Sequence, residues 1–424
     1  MTTNPPPTRA RYWVIVFAIT LAVITYIDRV CISKAAPLMQ QDLGLTKQQM
    51  GYAFAAFGWA YALFEIPGGW LGDVIGPRKV LMRVVMMWSA FTAATGWAWN
   101  MRSLVIFRFL FGIGEAGCFP NLTKAFTIWL PKGERVRAQG IMWLSARWGG
   151  AFTPLLVAWV LQFVSWRWAF VLFGGLGVFW AVFFYRWFRD NPREHRSVNE
   201  GELALLGEAR ENLVHGAIPW GKLVSSPTVW LLWVQYFAMS YGWYFYITWL
   251  PTYLDESFPQ LSGMERTLLN CIPLFFGGLG SIFCGLVSAP LARWLGTART
   301  RRIMGFVGLA GAGFMLLLST HFKNPLLAVL SVGMASLCND LSMPGSWGAC
   351  MDVGGRFAGS LSGSMNMMGN GGGAFAPMIV PMVLAATHDN WNANFIMFAV
   401  VYFLGAFCWL FIDPVTPLEQ KKAD

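Results

Sequence analysis

"GGWLGDVIGPRKVLM", residues 68–82, sets one acid and two bases among glycines between two long apolar runs, roughly 48–71 and 79–100. It reads as a short charged turn joining two helices. Gly69 permits close approach of a neighbouring backbone. Asp73, at a helix end, is positioned to accept hydrogen bonds from Arg78 and from backbone donors of another helix. The bland alternative for the motif is a merely charged turn that fixes topology.

The rest of the chain has the same texture. Of its 424 residues 56% are hydrophobic, 16% aromatic and 12% charged, about half the charged fraction of a soluble globular protein. Apolar windows of about eighteen residues or more recur, each long enough to cross roughly 30 Å of hydrocarbon as a helix. The runs are continuous and lack the alternation of a membrane β-barrel, so the chain reads as an all-α polytopic membrane protein. Twelve spans are predicted, near 12–34, 48–71, 79–100, 103–128, 136–163, 167–188, 227–254, 267–292, 302–320, 325–350, 357–385 and 391–412. Residues 12–27 resemble a signal peptide, but the continuation into further spans makes them a retained first helix. The polar stretch 189–226, with "RDNPREHRSVNEGE" at its start, separates six spans from six. The expected domains are therefore an N-terminal bundle over 1–188, a linker over 189–226 and a C-terminal bundle over 227–424.

Lys and Arg placement gives orientation, because cytoplasmic loops carry the excess. With the N-terminus inside, 21 of the 31 basic residues, among them Arg210, Lys421 and Lys422, fall on cytoplasmic segments, and both termini are cytoplasmic. The net charge of +10 is then mostly a bias facing anionic lipid, and no nucleic-acid partner is implied. Seven cysteines in apolar runs, odd in number and without CxxC spacing, suggest neither a disulfide framework nor a metal site. All four histidines fall in loops, which leaves carboxylates as the buried proton carriers. No HExxH or GxSxG motif supports a membrane enzyme. "GNGGGAFAP" at 369–377 lacks the GK[ST] ending of a nucleotide loop and reads as a packing segment, so no cofactor is expected.

Asp28, Arg29, Arg108 and Glu115 stand inside apolar runs, where an unpaired ionisable side chain costs about 2.5–3.5 kcal/mol. They must face a polar cavity and one another. Arg108 and Glu115, seven apart, share a helix face, whereas Asp28 and Arg29 point about 100° apart. Tyr26 and Arg29 lie near one face. Arg29 with Tyr26 is thus expected to hold a carboxylate by its guanidinium fork, and Asp28 to turn toward Arg108 and Glu115. The bland alternative is an ion-pair set that only fixes helix register. Arg147 lies about 16 Å into its span, too deep for lipid exposure. Asp340 follows Asn324 by nearly the spacing at which Glu115 follows Asn100, which makes it a candidate second cavity acid. Glu65 is read as either a titrating acid or a structural partner.

With Gly69, Leu71, Asp73, Gly76, Arg78 and Lys79 in place, the opening stretch resembles the loop 2–3 signature of the major facilitator superfamily. Its counterpart, "FCGLVSAPLARWLGTARTRR" at 283–302, keeps Gly285 and the basic run but has Ala289 where an acid is common. "YIDRVCISKAAP", "FRFLFGIGEAGCFPN", "WLPKGERVRAQG", "TWLPTYL" and "GSLSGSMNMMGNGGG" are similar to segments of the anion:cation symporter family, which includes bacterial sugar-acid transporters and sialin-like organic anion carriers. The resemblance implies a major facilitator fold of two six-helix bundles in an inner membrane. It further implies a proton-coupled symporter that imports a small organic anion, of galactonate, glucarate or hexuronate type, by alternating access and functions as a monomer. Asp28, Glu115 and Arg108 would couple protons. Arg29, Tyr26, Tyr61, Arg147, Trp347, Asn366 and Asn370 would contact substrate, with packing the alternative for Tyr61 and Trp347. Gly69, Asp73, Arg78 and Lys79 would latch one conformational state. An organic-anion exchanger or potential-driven carrier, and outside transport a membrane sensor, are the competing readings.

Overall fold

In the computed structural model the described residues are 5–206 and 220–419. Residues 207–219, within the expected linker and including Arg210, lie outside them, as do Lys421 and Lys422.

The apolar runs form helices because a helix satisfies its own backbone where water is absent. In chain order they are α1 (Tyr12–Leu43), α2 (Lys47–Ile75), α3 (Pro77–Thr95), α4 (Met101–Glu115), α5 (Cys118–Trp129), α6 (Lys132–Val160) and α7 (Trp166–Trp187). The short α8 (Glu200–Leu205) and α9 (Trp220–Ser225) follow. Then come α10 (Pro227–Thr248), α11 (Leu250–Ser257), α12 (Gly263–Leu295), α13 (Thr297–Ser319), α14 (Pro325–Gly354), α15 (Ala358–Ala386) and α16 (Trp391–Phe411). Seven helical stretches among the described residues are long and apolar enough to cross a membrane by length and composition.

Ten of the twelve expected spans become one helix each and two become pairs. The span over 103–128 breaks just after Glu115, where Gly117 takes φ 85° and packs against α2: a Cβ on Gly117 would lie 2.6 Å from Gly68 Cα. The span over 227–254 breaks before Pro251, which lacks the N–H needed to continue the helix. The α2–α3 turn of the opening motif is a single residue, Gly76 at φ 86°, followed by Pro77 in the first turn of α3. The α12–α13 turn repeats it, with Gly296 at φ 82°. Both glycines sit where a side chain would be strained.

By internal contacts the chain forms two compact units. The first comprises residues 1–135, 149–218 and 354–364, the second residues 136–148, 219–353 and 365–424, so α6 and α15 are each divided. In the first unit α3 packs on α4 and α7, and α2 on α4 and α5, around Trp88, Phe111, Phe119, Phe126 and Phe170. In the second, α16 packs on α10 and α13, with Trp347, Tyr402 and Trp409 buried. Large apolar side chains such as Trp99, Phe179 and Met378 stay exposed, as a lipid-facing surface requires.

A polar clasp holds the N-terminal segment of the first unit. Glu202 on α8 is buried and accepts hydrogen bonds from the Thr8 hydroxyl, from the amides of Ala10 and Arg11 at 2.9 and 3.0 Å, and from Arg11 Nη1 at 3.1 Å. Arg11 also pairs with Glu134 on α6 at 3.0 Å. Burial alone would raise the Glu202 carboxyl, but these donors outweigh it and hold it below its ordinary value.

Candidate functional site

Charged side chains of α1 and α4 gather in the first unit. Asp28 is fully buried, and its Oδ2 accepts a hydrogen bond from Trp88 Nε1 on α3 at 3.0 Å. Arg29 donates from Nε to Glu115 Oε1 at 2.5 Å, with side chains 19% and 1% exposed. Its guanidinium lies 4.4 Å from the Tyr61 ring centre and within 6 Å of Tyr26, Phe57 and Phe119, so an aromatic cage surrounds the charge. Arg108 is buried over Phe111 at 4.3 Å and Phe57 at 5.1 Å, in the electrostatic range of Glu115 and Asp28. Its Nε and Nη1, together with Asp28 Oδ1 and Glu115 Oε2, make no hydrogen bond among the described residues. Tyr61 bonds buried Glu65 one turn along α2. Sequence spacing brought Glu115 toward Arg108 and set Arg29 apart. In the structure Glu115 bonds Arg29, because a long guanidinium side chain reaches past the face its Cα occupies.

The opening motif builds a second cluster. Asp73, buried at the end of α2, accepts from the first-turn amides of α15, Gly359 at 3.1 Å and Ser360 at 2.6 Å, and from Ser360 Oγ at 2.7 Å. A carboxylate suits a helix N-terminus, where amides lack intrahelical partners. Lys124 on α5, also fully buried, reaches Asp73 Oδ1 at 3.2 Å and donates to the Arg356 carbonyl. Gly69 makes the approach possible, since a Cβ there would lie 2.2 Å from the Gly359 carbonyl oxygen. The expected Arg78–Asp73 bond is absent. Past the Gly76 turn, Arg78 points to the end of α7, donating to the Tyr185 carbonyl at 2.7 and 3.1 Å while its amide bonds Asp190. Lys79 is exposed. In the repeat of this region the basic run supplies Arg301, which pairs with Asp352 of α14 at 2.6 Å.

The second unit contains a third cluster. Arg147 on α6 and Asp340 on α14 form a buried bidentate pair at 2.6 and 2.9 Å, with Trp243 stacked 4.2 Å from the guanidinium. Trp143 lies 5.5 Å from Trp347, whose Nε1 donates to Tyr236 at 3.2 Å. Asn370 accepts from Tyr244 at 3.3 Å and donates to the Asn366 carbonyl at 2.9 Å. Asp340, read as a cavity acid, is thus bound to the arginine read as a substrate contact.

Trp88, Trp143, Tyr236 and Trp243 were not singled out from sequence, being a few aromatics among 23 tryptophans and 11 tyrosines. Lys124 did carry a signal, as a lysine inside an apolar span.

Residues 18–377 match the profile of the Major Facilitator Superfamily. The chain belongs to that family. It adopts the major facilitator fold, and the family is one of transporters rather than enzymes. A probable sulfoacetate transporter of Cupriavidus necator is 34% identical over 404 residues, covering 94% of this chain and 92% of that protein. A D-galactonate transporter of Escherichia coli is 29% identical, covering 88% and 89%, and a hexuronate transporter of Bacillus subtilis is 28% identical, covering 95% and 94%. Among solved structures, the proton:xylose symporter XylE superposes with a TM-score of 0.75 at 15% identity, covering 96% of this facilitator and 98% of that chain.

Proposed function

We propose that this facilitator is a proton-coupled symporter that imports a small organic anion by alternating access. Its cargo is a sugar acid or a similarly small acid such as sulfoacetate. The observation that carries the reading is the Arg29–Glu115 pair inside the Tyr61 cage, with Arg108 and Asp28 beside it. Arginine stays protonated, so Asp28, Glu115 and Glu65 against Arg29 and Arg108 sum to one negative charge when all acids are ionised. One proton balances the set. A substrate carboxylate that takes Arg29 adds one more negative charge and releases Glu115, and the released acid takes a second proton, drawn from solution, because an uncompensated carboxylate at membrane depth is costly. Asp28, Glu115 and Arg108 then form the coupling group, while Arg29, Tyr26, Tyr61, Arg147, Trp347, Asn366 and Asn370 contact cargo.

Gly69 and Asp73, with the turn residues Arg78 and Lys79, close one state of the cycle. The moving parts in this reading are the bundles 1–188 and 227–424. Relatives named for sulfoacetate, galactonate and hexuronate support the cargo class. The basic bias supports cytoplasmic termini, the family resemblance implies a cell inner membrane, and one chain suffices for function.

The test is uptake of labelled sulfoacetate and D-galactonate into proteoliposomes. An inside-alkaline gradient should drive accumulation of at least one of them, and a potassium–valinomycin potential without a pH gradient should not. Equal uptake with and without the pH gradient would return the exchanger reading.

A further inference from the structure

Arg147 and Asp340 are joined by two hydrogen bonds, Nε–H to Oδ2 at 2.6 Å and Nη2–H to Oδ1 at 2.9 Å, with side chains 3% and 0% exposed. A guanidinium fork offers the same geometry to any carboxylate or sulfonate. Trp243 at 4.2 Å and Trp143 at 5.9 Å line the guanidinium and fix where an anion can meet it.

Asp340 also has a second set of donors beside it. Asn339 Nδ2 donates to Oδ1 at 2.8 Å. Ser336, one turn earlier on α14, is fully buried, and its Oγ makes no hydrogen bond among the described residues. Gly277 on α12 keeps the intervening space open, since a Cβ there would lie 2.7 Å from Asp340 Oδ2 and 2.9 Å from Ser336 Oγ. A buried hydroxyl without a partner is destabilising, which a purely structural Arg–Asp pair gives no reason to bear.

We propose that Asp340 is an internal stand-in, occupying the Arg147 fork while the carboxylate or sulfonate of the transported molecule is absent. This rests on the organic-anion reading above. On exchange the Asp340 carboxylate moves toward the Ser336 hydroxyl and keeps Asn339, while the incoming group takes the fork. Arg147 is paired in both arrangements. The exchange adds one negative charge, which one proton from solution on Asp340 balances. Arg147 on α6, Tyr246 on α10, Cys338 on α14 and Tyr402 on α16 are the other charged or titratable groups grouped around this site.

Calorimetric titration of the purified full-length protein with sulfoacetate tests the exchange. Asp340→Asn removes the competing charge at nearly constant shape, and about tenfold tighter binding is expected, equivalent to about 1.4 kcal/mol. Ser336→Ala keeps the ion pair and removes the alternative donor. It should weaken binding several-fold without lowering the melting temperature of the ligand-free protein. Equal or weaker binding by Asp340→Asn that elutes as a folded monodisperse species overturns the proposal. Should that variant not fold, unchanged affinity in Ser336→Ala overturns it. Failure of the wild-type protein to bind sulfoacetate, D-galactonate or D-glucarate defeats the organic-anion reading itself, and this proposal with it.

Discussion

A charge inside an apolar helix survives only as part of a set, and Asp73 illustrates how complete such a set is. It meets two amides, one hydroxyl and Lys124 in a space that Gly69 leaves open. Lys124→Met removes the cation from a buried carboxylate, and a loss of about 3 kcal/mol is expected, read as a lower melting temperature. The double variant Asp73→Asn with Lys124→Met should recover much of that loss; a double variant no more stable than Lys124→Met would contradict the pairing. Gly69→Ala forces a Cβ onto the Gly359 carbonyl and should destabilise this conformation by about 1–3 kcal/mol, with a matching fall in uptake. The ionised residues were visible in the sequence because their cost in hydrocarbon forces an explanation. Their pairings were not. Helical spacing gives the face from which Arg29 departs, while its reach to Glu115 depends on side-chain length and on where α4 breaks.

The helices themselves were legible from apolar runs, and the departures have local causes. Gly117 looks in sequence like Gly112 and Gly114, yet it alone of the three takes a positive φ, because it caps α5 at the break after α4. The clasp on α8 was hidden because Glu202 lies in a polar stretch where a buried carboxylate has no distinguishing context. Its carboxyl is lower in the folded protein than its ordinary value, so it contributes stability above the usual carboxylate range and loses it as pH falls through the folded value. Proteolysis of the N-terminal segment should therefore accelerate below about pH 4. In Glu202→Gln, cleavage should be faster at neutral pH and should lose most of this pH dependence. An unchanged profile would show that Glu202 does not hold the segment.

Across the whole molecule, the repeated single-glycine turns at Gly76 and Gly296 connect the opening motif to an internally duplicated architecture, in keeping with the major facilitator fold. That architecture supplies the transport class. The proposed proton coupling comes from the acids and arginines of the first unit, and Glu115 is its hinge because it is bonded to Arg29, the arginine of that unit meant for cargo. The most direct measurement compares wild type with Glu115→Gln in proteoliposomes preloaded with, or empty of, the transported anion. The account predicts that the variant exchanges labelled anion against unlabelled at near wild-type rate but does not accumulate it under an inside-alkaline gradient. Accumulation at the wild-type level in Glu115→Gln would contradict it.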